Sequence, residues 1–466
     1  MQNKKTLLLF TTILFSNALV AFPALADNAT TSTSTINSIS TSTPASIVSG
    51  VQVPTIPVLI TQTQQAKAAL GNISLNHVVT PIYKNIKNKK TGKTTKTLSS
   101  YVLSSKDIAL AILDPVTNTV ITTVGKQNGK TMSFSDSNAT LKLTNFNGVN
   151  SKFQITVPAG GTVLALKYLI SGADSGSKAA IENNLSEAVY VPYSSGLNDP
   201  QVLQYGANYL DGIIKNVASS LQTLPSQAIP GKTVTEAIPP AMIKALVYAE
   251  HTDTTQVLKG NIQDTINQLN ILFATNQGDA YKYSVSTAAA RGIAQFIPST
   301  YASLVQRHPE AGLISDFVTG MADHYNSIKA MYLLLDDYAG AVRVKAAQGF
   351  ASGRIFEYAA ASYNGGTTRV AKAVNAFGSD WNADRSGEVN TLQSQIASLP
   401  SQIKKAKDKK IKSSLQNQLA SAKDQLATLQ AATLRNETIN YLNKIYKVIS
   451  VFNDQLTYQP PHPTAL

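Results

Sequence analysis

The residue of this chain best suited to chemistry is a glutamate on an apolar helical stripe. Pro239-Pro240 opens a helical pattern, since proline is tolerated in a first turn. Ile243, Leu246 and Val247 follow at helical spacing, and Glu250 stands seven residues after Ile243. Burial disfavours an ionised carboxylate, so a side chain placed there holds its proton toward neutral pH. Cleavage of a glycosidic bond needs such a proton donor, because the departing sugar oxygen does not leave as an alkoxide. A glutamate in the last turn of an amphipathic helix more often snorkels or caps, so Glu250 alone decides nothing. Asp253, three residues on, falls on the same side of a helix and offers a second carboxylate. Helix-end aspartates are usually solvated, however, and two carboxylates this close in sequence rarely flank a sugar.

Three downstream strings add groups that suit a carbohydrate cleft. The first is Ser286-Thr287-Ala288-Ala289-Ala290-Arg291-Gly292-Ile293-Ala294-Gln295-Phe296-Ile297-Pro298-Ser299-Thr300. The second is Ala360-Ala361-Ser362-Tyr363-Asn364-Gly365-Gly366, and the third Asn436-Glu437-Thr438-Ile439-Asn440-Tyr441. Gly292 permits a close backbone approach, and Gln295 carries both an amide donor and an acceptor. Tyr363 presents a flat face and a hydroxyl, and Gly365-Gly366 marks a tight loop. The order of these strings resembles the soluble lytic transglycosylase family. Its marks are a helix ending in Glu-Ser, Gly-Leu-Met-Gln with Pro-Ser-Thr, Ala-Tyr-Asn-Ala-Gly, and Glu-Thr-x-x-Tyr-Val. All four occur here in degenerate form and in family order, across residues 236–301 and 328–448.

The resemblance implies a mostly helical, lysozyme-like catalytic domain acting on peptidoglycan glycan strands. It assigns Glu250 as the single acid/base and Gln295 as a hydrogen-bonding partner of the glycan. Tyr363 and Asn364 match the pair that orients the glutamate and an acetamido group, and Glu437 and Tyr441 match residues closing the far side of the groove. His251, counted with the substrate-binding residues, stands beside the acid where the family has serine, Ala294 replaces a methionine, and Asn261–Tyr283 is an insertion beside the cleft. The implied reaction cuts the MurNAc-GlcNAc β-1,4 bond and closes a 1,6-anhydro ring, with the substrate's acetamido group in place of a second carboxylate. It requires no water, metal or cofactor. Two other readings fit the same residues. A hydrolase of the goose-type lysozyme kind would use Asp264 or Asp279 to activate water, and a catalytically weak glycan-binding scaffold would serve an envelope machine. Ser175-Gly176-Ser177-Lys178 and Lys90-Thr91-Gly92 match strings of penicillin-binding enzymes, but in reversed order. The five histidines show no paired helical spacing, so metal chemistry is not expected.

The elements that must position these groups form an α+β, multidomain chain of 466 residues. Lys4-Lys5, an apolar stretch from Leu7 to Phe22 and Ala24-Leu25-Ala26 read as a secretory leader over residues 1–26. With no cysteine anywhere, the chain has neither disulfides nor a lipidated cysteine, and is expected to be exported, soluble and periplasmic or otherwise wall-associated. Its formal charge of +13 falls to about +11 once Lys4 and Lys5 are removed. A basic chain outside the cytoplasm suits the acidic polymers of an envelope and argues against nucleic acid as a partner. Residues 27–50 are a Ser/Thr-rich linker. Residues 51–185 read as a β-rich domain, with strand-like runs at Val53–Ile60, Ile108–Leu113, Thr119–Thr123 and Phe153–Val157. Wall binding, partner docking and a plain spacer all fit it. Residues 186–458 read as the helical catalytic domain, beginning with a helix over Pro200–Gln222. Within it, residues 386–434 carry a coiled-coil stripe: Val389, Leu392, Ile396, Leu399 and Ile403, then Leu415, Leu419, Leu426 and Leu429. Pro400 or Lys404–Lys412 is the place for the chain to turn back into a helical hairpin with a basic tip, a second surface for an envelope protein partner.

Overall fold

The computed structural model describes residues 56–135, 138–346 and 348–452; the leader and linker of residues 1–50 lie outside them. The chain divides into two units. The first runs to Gly206 and adds Asn270–Gln277 and Val285–Thr287; the second comprises Ala207–Leu269, Gly278–Ser284 and the chain from Ala288 onward. Among the described residues no helix is long and apolar enough to cross a membrane.

The first unit is built on strands β1 (His77–Lys87), β2 (Thr94–Asp114), β3 (Thr119–Asn128), β4 (Thr131–Phe134), β5 (Thr140–Asn145), β6 (Lys152–Val157), β7 (Thr162–Ser171), β8 (Ser175–Gly176) and β9 (Leu185–Tyr190). Seven of them form one antiparallel sheet along the path β4-β3-β2-β7-β9, with β1 and β8 also paired to β2, while β5 and β6 form a separate ribbon. Strand β7 is buried along its whole length, which its run Val163-Leu164-Ala165-Leu166 allows because both faces are covered. Strand β1 and the start of β2 project as an exposed two-stranded arm carrying Lys84, Lys87 and Lys96 and no acidic residue over 77–100. The expected strand at Val53–Ile60 begins outside the described residues, at 53–55, and is corrected over its second half, where Val58–Gly71 is a helix. Ile60, Thr63, Ala66 and Leu70 recur at helical spacing as its buried face, and a short apolar run taken alone does not separate the two structures. The sheet also runs past the expected boundary at 185, because β9 pairs with β7.

The insertion Asn261–Tyr283 is mostly helix, Ile262–Asn276. Its second half belongs to the first unit, where Ile271 and Ala274 join the core with Ile60, Leu164 and Val202. Asn276 accepts from Val191 N at 2.8 Å and donates to Val191 O at 2.9 Å, extending a strand-like pairing by a side chain.

The second unit is helical. Pro240–Glu250 buries Ile243, Leu246 and Val247 completely. Ile355–Gly365 and Asn436–Val451 pack against one another and, with Pro240–Glu250, carry the candidate site. The N-terminus of Ile355–Gly365 is fixed by a buried ion pair. Arg354 contacts Glu357 at 2.5 Å, and Glu357 is fully buried. The same guanidinium reaches Ser379 O at 2.5 Å and Asn382 Oδ1 at 3.2 Å. Replacing Arg354 by methionine should therefore cost about 3–5 kcal/mol, because a buried carboxylate loses its cation. A urea titration within 1 kcal/mol of wild type, roughly the size of an exposed pair, would sink that account.

Residues 386–432 form two packed helices, Ser386–Lys405 and Lys409–Ala432. The expected apolar stripe is their sheltered face, although only Leu399, Ala422 and Ala432 are buried. Pro400 lies inside the first helix. The chain reverses at 406–408, where Asp408 caps the second helix by accepting from Ile411 N at 3.0 Å.

Candidate active site

Glu250 is the last residue of its helix, and Oε1 accepts a hydrogen bond from the Tyr441 hydroxyl. The helix Asn436–Val451 makes this meeting. Its buried stripe of Thr438, Tyr441, Leu442, Lys444, Ile445 and Val448 turns one face inward. Glu250 as a whole residue is half-buried, and burial pushes its carboxyl above the ordinary carboxylate range. The Lys444 cation and the Tyr441 hydrogen bond oppose that push. Tyr441 and Tyr363 are held far above the usual phenol range, first by burial and then by the Glu250 charge. Both therefore stay neutral donors.

The glutamine string forms the next wall. Arg291 N donates to Phe296 O at 3.0 Å, closing a tight turn in which Gly292 has φ +68° and Gln295 φ +52°. Two successive carbonyls of this turn are tied down. Ile293 O meets His251 Nε2 at 2.9 Å, and Ala294 O accepts from the Tyr363 hydroxyl. Strings far apart in the chain thus converge: the residue capping the Glu250 helix and the tyrosine of Ile355–Gly365 grip adjacent peptide groups. The Gln295 amide folds back, donating to Gly292 O at 2.8 Å.

These contacts redistribute the expected roles. Tyr441, expected across the groove, is the tyrosine that touches Glu250, whereas the Tyr363 hydroxyl is committed to Ala294. His251 is a packing residue. Its ring stacks on Tyr281 with centroids 3.7 Å apart, and burial lowers its pKa to about 3, so the imidazole is neutral. A neutral ring facing a carbonyl through Nε2 carries its proton there. His324 nearby uses both nitrogens, Nε2 on Ala280 O at 2.7 Å and Nδ1 on Tyr209 Oη at 3.0 Å. Asn364 is exposed, and its Oδ1 accepts from Thr438 Oγ1 at 2.9 Å. Glu437 is exposed in the first turn of its helix, and no described hydrogen bond or ion pair ties it to Glu250.

Two of the other carboxylates considered have local duties. Asp253 caps the helix Thr254–Lys259 by accepting from Gln256 N at 2.9 Å. Asp279 pairs with Lys282 at 3.1 Å, and Asp264 is exposed in the first turn of its helix. Lys444 is the site residue that the sequence reading missed. Burial draws its ammonium below the usual lysine range, while Glu250 and then Asp253 draw it back up. A lysine on the apolar stripe three residues after Tyr441 was the available signal, of the same kind that singled out Glu250. No family model, curated protein or solved structure matches the chain.

Proposed function

We propose that the second unit is a lytic transglycosylase of peptidoglycan, lysozyme-like in its catalytic core, with Glu250 as its one acid/base. The observation that carries the reading is a buried carboxyl that receives a neutral tyrosine hydroxyl beside a turn fixed by Tyr363 and His251. Protonated Glu250 gives its proton to the oxygen linking N-acetylmuramic acid to N-acetylglucosamine, and the C1–O bond breaks. The acetamido oxygen of the muramic residue bonds to C1 and holds its charge. Glu250, now a carboxylate, takes the proton of the muramic 6-hydroxyl. That oxygen attacks C1, displaces the acetamido oxygen and closes the 1,6-anhydro ring. Glu250 ends protonated, ready for the next strand. The commitment of Asp253 to a helix cap and of Asp279 to Lys282 agrees with a route that needs no second carboxylate.

The same reading places the exported chain in the periplasm or at the wall, with the exposed basic arm and the helical pair as surfaces toward envelope polymers or a protein partner. Purified sacculi digested with the exported chain, residues 27–466, should release muropeptides ending in 1,6-anhydro-muramic acid by mass spectrometry. Reducing ends in their place would move the protein to the hydrolases. Retention on insoluble wall should also fall steeply between low and high salt, because long-range attraction by a chain of net charge about +11 is screened. Retention unchanged in 1 M salt, where screening is nearly complete, would refute the electrostatic part.

A further inference from the structure

We infer that Lys444 is a positioning residue for the Glu250 acid/base, holding a positive charge beside the Glu250–Tyr441 hydrogen bond; this rests on the transglycosylase reading of the site. Lys444 is only 6% exposed. Its Nζ donates to the carbonyl of Thr252 at 3.1 Å, two residues past Glu250. It also lies 5.4 Å from the centre of the Tyr441 ring. The ammonium is thus bracketed by the backbone just after the acid and by the ring whose hydroxyl the acid accepts. Taking an ammonium out of water is costly unless a negative charge answers it.

The groups around it single out Glu250. The helix Pro240–Glu250 brings Glu250 and, as its cap, neutral His251. Exposed Asp253 opens the next helix and acts on Lys444 less strongly than Glu250 does. Ile355–Gly365 brings neutral Tyr363 and Glu357, the latter held by Arg354 and Tyr446. On its own helix, Lys447 turns away to Leu258 O at 2.7 Å.

The consequence is chemical. When Glu250 gives up its proton it leaves a carboxylate in a poorly hydrated site, and Lys444 with Tyr441 stabilises that ion. Without the cation the carboxyl holds its proton too tightly. It then donates more slowly, and it stays protonated to higher pH.

Lys444→Gln keeps a donor for Thr252 O and removes the charge; Lys444→Arg keeps the charge. Two readouts are made on each: the pH profile of anhydro-muropeptide release, and a ¹³C NMR titration of the Glu250 carboxyl. In Lys444→Gln the alkaline limb and the titration should move up by about one pH unit or more. Its kcat should fall roughly tenfold with KM within about twofold, and Lys444→Arg should follow the wild type. A folded Lys444→Gln protein whose titration and limb coincide with the wild type overturns the inference. Should that variant not fold, Lys444→Arg carries the test, and a Glu250 titration displaced upward in it overturns the inference equally. Glu250 titrates whether or not sacculi are cut, so loss of the transglycosylase reading and loss of the Lys444 role are separate results.

Discussion

Glu250→Gln should abolish release of anhydro-muropeptides, with a loss of about a thousandfold or more. General acid–base catalysis supplies on the order of 10²–10⁴-fold, and in the proposed mechanism one carboxyl serves both proton transfers, so neither is left. The amide cannot donate a proton to the leaving oxygen or receive one from the 6-hydroxyl. Its oxygen can still accept the Tyr441 hydroxyl, so the fold should survive. Circular dichroism and a thermal melt would establish that before any rate is compared. In the wild type the sign of the pH dependence follows from the same environment. The acid works protonated, and burial raises its pKa, so activity should persist past the range of an ordinary carboxylate and fall as pH rises through the elevated value. A Glu250→Gln protein that still released anhydro products at a comparable rate would remove the proposed mechanism altogether.

Gly292→Ala should destabilise the second unit by about 2–4 kcal/mol, read from chemical denaturation. Two separate physical effects add. Gly292 has φ +68°, where a side chain is strained, and an added Cβ would lie 2.1 Å from the carbonyl oxygen of Met321. That obstacle is backbone, so no rotamer relieves it. Gly312 isolates the first effect: it has φ +60° in the left-handed region, but nothing lies within 4 Å of an added Cβ. Gly312→Ala should therefore cost only about 1 kcal/mol. Equal losses in the two variants would show that the close approach at Gly292 contributes nothing. Because Gly292 shapes the turn whose carbonyls His251 and Tyr363 hold, its substitution should also loosen the wall beside Glu250.

The sequence by itself determined the elements whose periodicity or punctuation is unambiguous. Pro239-Pro240 placed the start of the Glu250 helix, and the stripe Ile243, Leu246 and Val247 told which way that helix faces. The spacing from Val389 to Leu429 marked a helical pair, and Lys404–Lys412 contained its reversal. Gly292 was legible as a close approach, although not what it approaches. Local patterns report such features because they depend on neighbours three or four residues away.

Only the tertiary structure decided which distant groups meet. Periodicity turns Tyr441 inward without saying that its hydroxyl reaches Glu250 while that of Tyr363 reaches Ala294. His251 read as a substrate neighbour, and the packing of Tyr281 and Ile293 makes it a neutral strut. The inserted helix Ile262–Asn276 gives half its length to the core of the other unit, and the run at Val58 became helix because Thr63, Ala66 and Leu70 continued its buried face. Lys444 acquires meaning only beside Glu250, 194 positions before it in the chain. A hydrogen bond or a buried charge depends on ångström-scale placement between helices, and spacing along one helix carries no record of that distance.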